Sequence, residues 1–74
     1  MSTKKINAGD TLTVGDLTDD HLGAVIEVGP CEGITSRLKL DEMRKAGDAR
    51  ILWSPEGRPR AFVVDDTVKV ITPA

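Results

Sequence analysis

Ala61-Phe62-Val63-Val64-Asp65-Asp66-Thr67-Val68-Lys69-Val70-Ile71 sets two strand-forming runs only three polar residues apart. A parallel pair needs a crossover of about a dozen residues, so this connection is either a hairpin or a corner where the sheet folds over. The same rhythm recurs upstream. Ala24-Val25-Ile26-Glu27-Val28 stops at Gly29-Pro30, Ile34 to Leu40 alternates apolar with polar, and Ile51-Leu52-Trp53 stops at Ser54-Pro55-Glu56-Gly57. Short strands closed at even intervals by turn residues predict an all-β fold, a small closed barrel or a tightly curled sheet. Such an architecture points to a binding or assembly module rather than an enzyme.

The connecting segments refine this expectation. Ser54-Pro55-Glu56-Gly57 suits a tight turn, with Pro at its second position and Gly at its end. Pro59 donates no ladder hydrogen bond and belongs at the start or edge of a strand. Ile34, Ser36, Leu38 and Leu40 fall on one face of a half-buried strand. Residues 41–46 are ambiguous: propensity favours a short helix ended by Gly47, while a curled sheet favours a bent strand or loop, which is the reading adopted. Thr11-Leu12-Thr13-Val14 reads as a short edge strand ended by Gly15-Asp16. Leu17 to Gly23 then reads as one short helical turn, with Thr18 as N-cap, Asp19 and Asp20 at its positive end and Gly23 just past its C-terminus. Residues 1–9 are expected to be a flexible N-terminus, and 10–72 a single small domain.

The chain has 74 residues, one Phe, one Trp, no Tyr and one Cys. A domain near this size buries only about 60% of its unfolded surface, so the core must be built from Val, Ile, Leu and Ala. Chains this small often gain stability by association, which makes a homo-oligomer an expectation. A single cysteine excludes an internal disulfide framework. Neither a signal-type apolar segment nor a membrane-length apolar run is present in the sequence, so a cytoplasmic protein without membrane partners is expected.

Charge is uneven. From Ile6 to Ser36 there are six acids and no Lys or Arg, whereas Arg37 to Arg60 holds seven bases against four acids. One reading pairs opposite charges across neighbouring strands, which solubilises the sheet and fixes its register. The other makes a basic interaction surface from Arg37, Lys39, Arg50, Arg58 and Arg60, with Lys4 and Lys5 in reach of anions. Trp53 belongs to this candidate set as a stacking platform if exposed; with so few aromatics in the chain, use as a core anchor is the favoured reading.

No catalytic constellation emerges. His21 lacks a positioned nucleophile and acid partner, and reads as an exposed or capping residue. Cys31 and His21 alone do not make a zinc set. Asp19-Asp20 and Asp65-Asp66 are not spaced as an oxygen-ligand loop, and caps and corners account for them. The expectation is therefore no enzyme activity, no cofactor, no metal and no small-molecule substrate.

The order of helical turn, long curled strands, tight hairpin, polar corner and final short strand resembles the SH3-like and Sm-like small barrels. That resemblance implies five strands. The wording Leu12-Thr13-Val14-Gly15-Asp16-Leu17-Thr18-Asp19-Asp20-His21-Leu22-Gly23, followed later by Asp66-Thr67-Val68-Lys69-Val70-Ile71, resembles small proteins of actinobacteria and their phages, mostly without an assigned function. It implies a phage or bacterial accessory protein. The short RNA-loop motifs of Sm proteins are not matched here. The expected function is thus a non-catalytic interaction or assembly module acting through protein–protein contacts, by an exposed strand or a basic hairpin. The alternative is a nucleic-acid-binding small barrel that uses the basic hairpin surface.

Overall fold

Alternating side chains and Gly-containing turns produce seven strands in two antiparallel sheets over residues 6–74, the part of the chain that the computed structural model describes. The strands are β1 (Thr11–Thr13), β2 (Val25–Cys31), β3 (Ile34–Lys39), β4 (Glu42–Ala46), β5 (Ala49–Trp53), β6 (Pro59–Val63) and β7 (Thr67–Thr72). The larger sheet has the order β1-β7-β2-β3 and the smaller one β4-β5-β6. The all-β expectation holds. The expected five-stranded closed barrel does not: there are seven strands, and the ladders form two separate sheets.

The physical reason lies at two corners. At the first, Leu40 N–H donates to Ala24 O (2.8 Å) and Leu40 O accepts from Gly23 N–H (2.6 Å), while the next residue, Asp41, donates to Trp53 O (2.8 Å). Adjacent residues thus pair in different sheets, and the bent strand or loop expected over 41–46 is a break after β3 followed by a separate strand, β4. The second corner is Val64-Asp65-Asp66. Asp66 N–H donates to Val63 O (3.1 Å) and the Asp66 carboxylate accepts from Val63 N–H (3.2 Å), so β6 and β7 enter different sheets instead of forming a hairpin.

The helical turn expected within Leu17 to Gly23 is a 3₁₀ turn, Asp19–His21, and another, Val14–Asp16, precedes it. Val14 therefore begins a turn rather than ending the first strand. Asp16 accepts from the Thr13 N–H and hydroxyl, a cap that the sequence reading did not anticipate. Thr18 does cap the second turn, accepting from Asp20 N–H at 3.3 Å. Within the segment 1–9, expected to be flexible, residues 1–5 lie outside the described residues; Ile6 packs against the core, and Gly9 N–H donates to Val70 O at 2.7 Å.

The core is aliphatic, as a chain so poor in aromatics requires: Val14, Leu17, Ala24, Ile26, Val28, Leu40, Leu52, Val68 and Val70 are buried. Leu38, Met43 and Phe62 pack against them. Among the described residues no helix is long and apolar enough to cross a membrane.

β2 does not stop at Gly29-Pro30. It passes through them with a bulge between Val28 and Cys31, then turns at Glu32-Gly33, both at positive φ, as a two-residue hairpin turn of the primed type needs. Gly29 carries the bulge at φ +123°, where a Cβ would lie 2.7 Å from Ile34 O. Gly29→Ala is therefore expected to cost about 2 kcal/mol or more, while Gly33→Ala, at positive φ but with open space, costs about 1 kcal/mol. Thermal unfolding of the two variants beside the parent checks the order, with a larger fall in midpoint for Gly29→Ala.

Candidate interaction surfaces

The β4-β5-β6 sheet has two faces, and its register assigns every residue to one of them. Three cross-strand rows point away from the core: Glu42–Trp53–Pro59, Arg44–Ile51–Ala61 and Ala46–Ala49–Val63. Only Glu42 and Arg44 among these nine are not apolar. Ile51, Trp53 and Ala49 on the central strand are half-buried, and Val63 is 53% exposed. Strand and residue spacings give the face an outline of roughly 14 by 17 Å. The apolar side chains are gathered on one sheet face rather than scattered singly.

Trp53 lies on this face, half-buried and outside the core cluster, so its assignment as a core anchor is corrected. Its ring is covered by Arg44, whose guanidinium carbon is 5.6 Å from the ring centroid. Arg44 also pairs with Glu42 at 3.3 Å. The alternative platform of Trp53 beside Arg50, Arg58 and Arg60 is divided by the sheet register. Strand alternation sends Arg50 and Arg60 to the opposite face of the sheet. Arg50 folds back on the turn between β4 and β5 and donates to the carbonyls of Gly47 (3.3 Å) and Ala49 (2.9 Å).

Four of the candidate basic residues do converge. Arg37 and Lys39 from β3 meet Arg58 and Arg60 from the β5–β6 turn and β6 along an open groove of about 450 Å³ floored by Val25 and Leu38. Arg60 reaches from one sheet to the other and donates to Ser36 Oγ at 3.0 Å. Arg37 is engaged by Glu27, its direct cross-strand neighbour (Nε to Oε1 3.0 Å). The side chains of Lys39 and Arg58 have no hydrogen-bond or ion-pair partner among the described residues. Glu27–Arg37 is thus cross-strand pairing, while the Lys39 and Arg58 side chains are left unpaired.

A larger open cleft of about 660 Å³ lies beside β1, lined by Asp10, Asp16, Asp20 and His21 among others. Among its polar groups, Asp10 and His21 serve the backbone. Asp10 accepts from Asn7 N–H (2.9 Å), and His21 Nδ1 accepts from Thr18 N–H (3.1 Å), which leaves the proton of the neutral ring on Nε2. No group of three or more His, Cys, Asp or Glu is placed to hold a metal ion among the described residues.

Cys31 is half-buried at the end of β2. Desolvation pushes its thiol above the usual range, followed by a hydrogen bond to Asp66 and the negative charges of Asp66 and Glu32.

Comparison with family models, curated proteins and solved structures returned no match for this chain. Its surfaces must be read on their own geometry. The apolar face was missed in the sequence, although a signal for it existed. Ile51-Leu52-Trp53 and Ala61-Phe62-Val63 are continuous apolar runs, and in a strand such a run places apolar side chains on both faces.

The thiolate is the reactive form of cysteine. Cys31 is thus expected to alkylate more slowly than a free cysteine at neutral pH, because raising the pKa lowers the thiolate fraction. The rate ratio should narrow as pH rises through the alkaline range. Iodoacetamide labelling followed by mass spectrometry against pH, beside a cysteine peptide, checks this.

Proposed function

We propose that this protein is a non-catalytic interaction and assembly module, a phage or bacterial accessory protein on a curled two-sheet fold of the SH3-like kind, that docks through the outer face of β4-β5-β6. The observation that carries the reading is the composition of that face: seven apolar residues around a single Arg44–Glu42 pair. Small single-domain proteins gain most from keeping such residues in a core, since their apolar side chains are few. Spending Ile51, Trp53 and Val63 on a solvent face makes sense when another surface covers them.

Docking by the face is favoured over docking by a strand edge. The long edge formed by β3 and β4 carries Arg37, Lys39, Arg44 and Lys45, and charged side chains along an edge discourage strand addition. A photo-crosslinking amino acid placed at Ala61, on the apolar face, is expected to give discrete covalent protein adducts in cells that make the protein. The same probe at Thr35, on the exposed side of β3, is expected to give none. Absence of adducts from Ala61 overturns the reading.

A second reading, nucleic-acid binding, is supported by the groove where Arg37, Lys39, Arg58 and Arg60 converge. Glu27 and Glu56 lie close enough to offset half of that charge, and the whole chain carries a net charge of −2; this is why it ranks second. If the groove binds nucleic acid, affinity for a labelled oligonucleotide falls steeply with salt and varies little with base sequence. Arg58→Glu/Arg60→Glu then weakens binding at low salt by tenfold or more. Unchanged binding by that double variant removes the groove from consideration.

A further inference from the structure

The interaction-module reading leaves the partner open, and the two charged residues of the apolar face narrow it. Arg44 and Glu42 lie on the same strand in adjacent outward rows, one cation and one anion on an otherwise apolar surface. The face is therefore neutral, and a strongly acidic or basic partner gains nothing from it. It is also self-complementary. A two-fold axis running across the strands, midway between the Arg44 and Glu42 rows, sets each Arg44 opposite the other copy's Glu42. The same axis sets each Trp53 opposite the other copy's Ile51 and each Pro59 opposite its Ala61.

We infer that the outer face of β4-β5-β6 is covered by the same face of a second copy of this chain, in a two-fold pair locked in register by reciprocal Arg44–Glu42 contacts. This rests on the reading of that face as a docking surface. Isologous pairing requires one patch to complement itself, and an anion and a cation astride the axis are the simplest way to do so. Within one chain the pair is exposed, with side chains 53% and 71% accessible, and a surface ion pair of that kind contributes little to folding. Its placement matters more for what meets the face, because like charges brought together across an interface suppress a wrong register. The axis covers the Glu42–Trp53–Pro59 and Arg44–Ile51–Ala61 rows on both copies and leaves the Ala46–Ala49–Val63 row outside, so the interface is small and the dimer weak and reversible.

The test uses the full chain by sedimentation velocity, from about 1 µM to about 1 mM. The parent is expected to pass from monomer to dimer across that range. Arg44→Glu makes the face doubly acidic and Glu42→Arg makes it doubly basic. Each variant alone is expected to raise the dissociation constant about tenfold or more, while an equimolar mixture of the two regains a dimer. Thermal unfolding of each variant, at sites this exposed, confirms that the fold is kept. A parent that stays monomeric at the highest concentration overturns the inference, as does a mixture no more associated than its components. Crosslinks from Ala61 separate this failure from the broader one. Adducts to other proteins, with a monomeric parent, overturn self-pairing and leave the docking face standing. No adducts and no dimer remove both.

Discussion

Everything in this fold follows from the change of sheet at Leu40 and Asp41. Leu40 completes the ladder toward Gly23 and Ala24, its side chain fully buried, and Asp41 opens the ladder toward Trp53. The alternation Ile34, Ser36, Leu38, Leu40 would, if continued, turn residues 42, 44 and 46 inward. Instead Met43 packs against the core and Glu42, Arg44 and Ala46 face outward. A one-residue slip moves every following side chain of a strand to the other face. The slip at this corner is what gives the small sheet its outer surface.

That choice propagates through the register. Because β5 and β6 pair with β4 residue by residue, the outward set becomes Ala49, Ile51 and Trp53 on one strand and Pro59, Ala61 and Val63 on the next. The inward set is more mixed: Met43, Leu52 and Phe62 reach the core, while Lys45, Arg50 and Arg60 share their face. Long cationic side chains tolerate such positions by laying their stems over apolar surface and carrying their charge to a polar rim. Arg60 ends at Ser36 and Arg50 at the carbonyls of Gly47 and Ala49. The small sheet thus presents its drier face outward and its more charged face partly inward, the reverse of the usual half-buried sheet.

The basic groove arises from the second corner. Val63–Asp66 directs β7 away from β6 into the larger sheet, so that the turn before β6 comes to lie near β3. Arg58 and Arg60 therefore meet Arg37 and Lys39 across a distance in sequence of about twenty residues. Glu27 answers Arg37 directly, because the β2–β3 register sets the two side by side.

Much of the local architecture was legible in the chain. Turn residues placed Ser54–Gly57, where Gly57 N–H bonds Ser54 O at 2.9 Å, and Pro59 was rightly kept to a strand start. Thr18 and Gly23 bracketed a turn, and the scarcity of aromatics foretold an aliphatic core. These are short-range matters, decided by φ restrictions, caps and side-chain size. Strand number, the phase slip at Leu40-Asp41, the side of the sheet on which Trp53 lies and the gathering of four cations in one groove were not legible. Each depends on which strands pair and which face the pairing turns inward. A local pattern of apolar and polar residues is silent on that when a run such as Ile51-Leu52-Trp53 is apolar on both faces, and only packing one sheet against the other decides which face is covered.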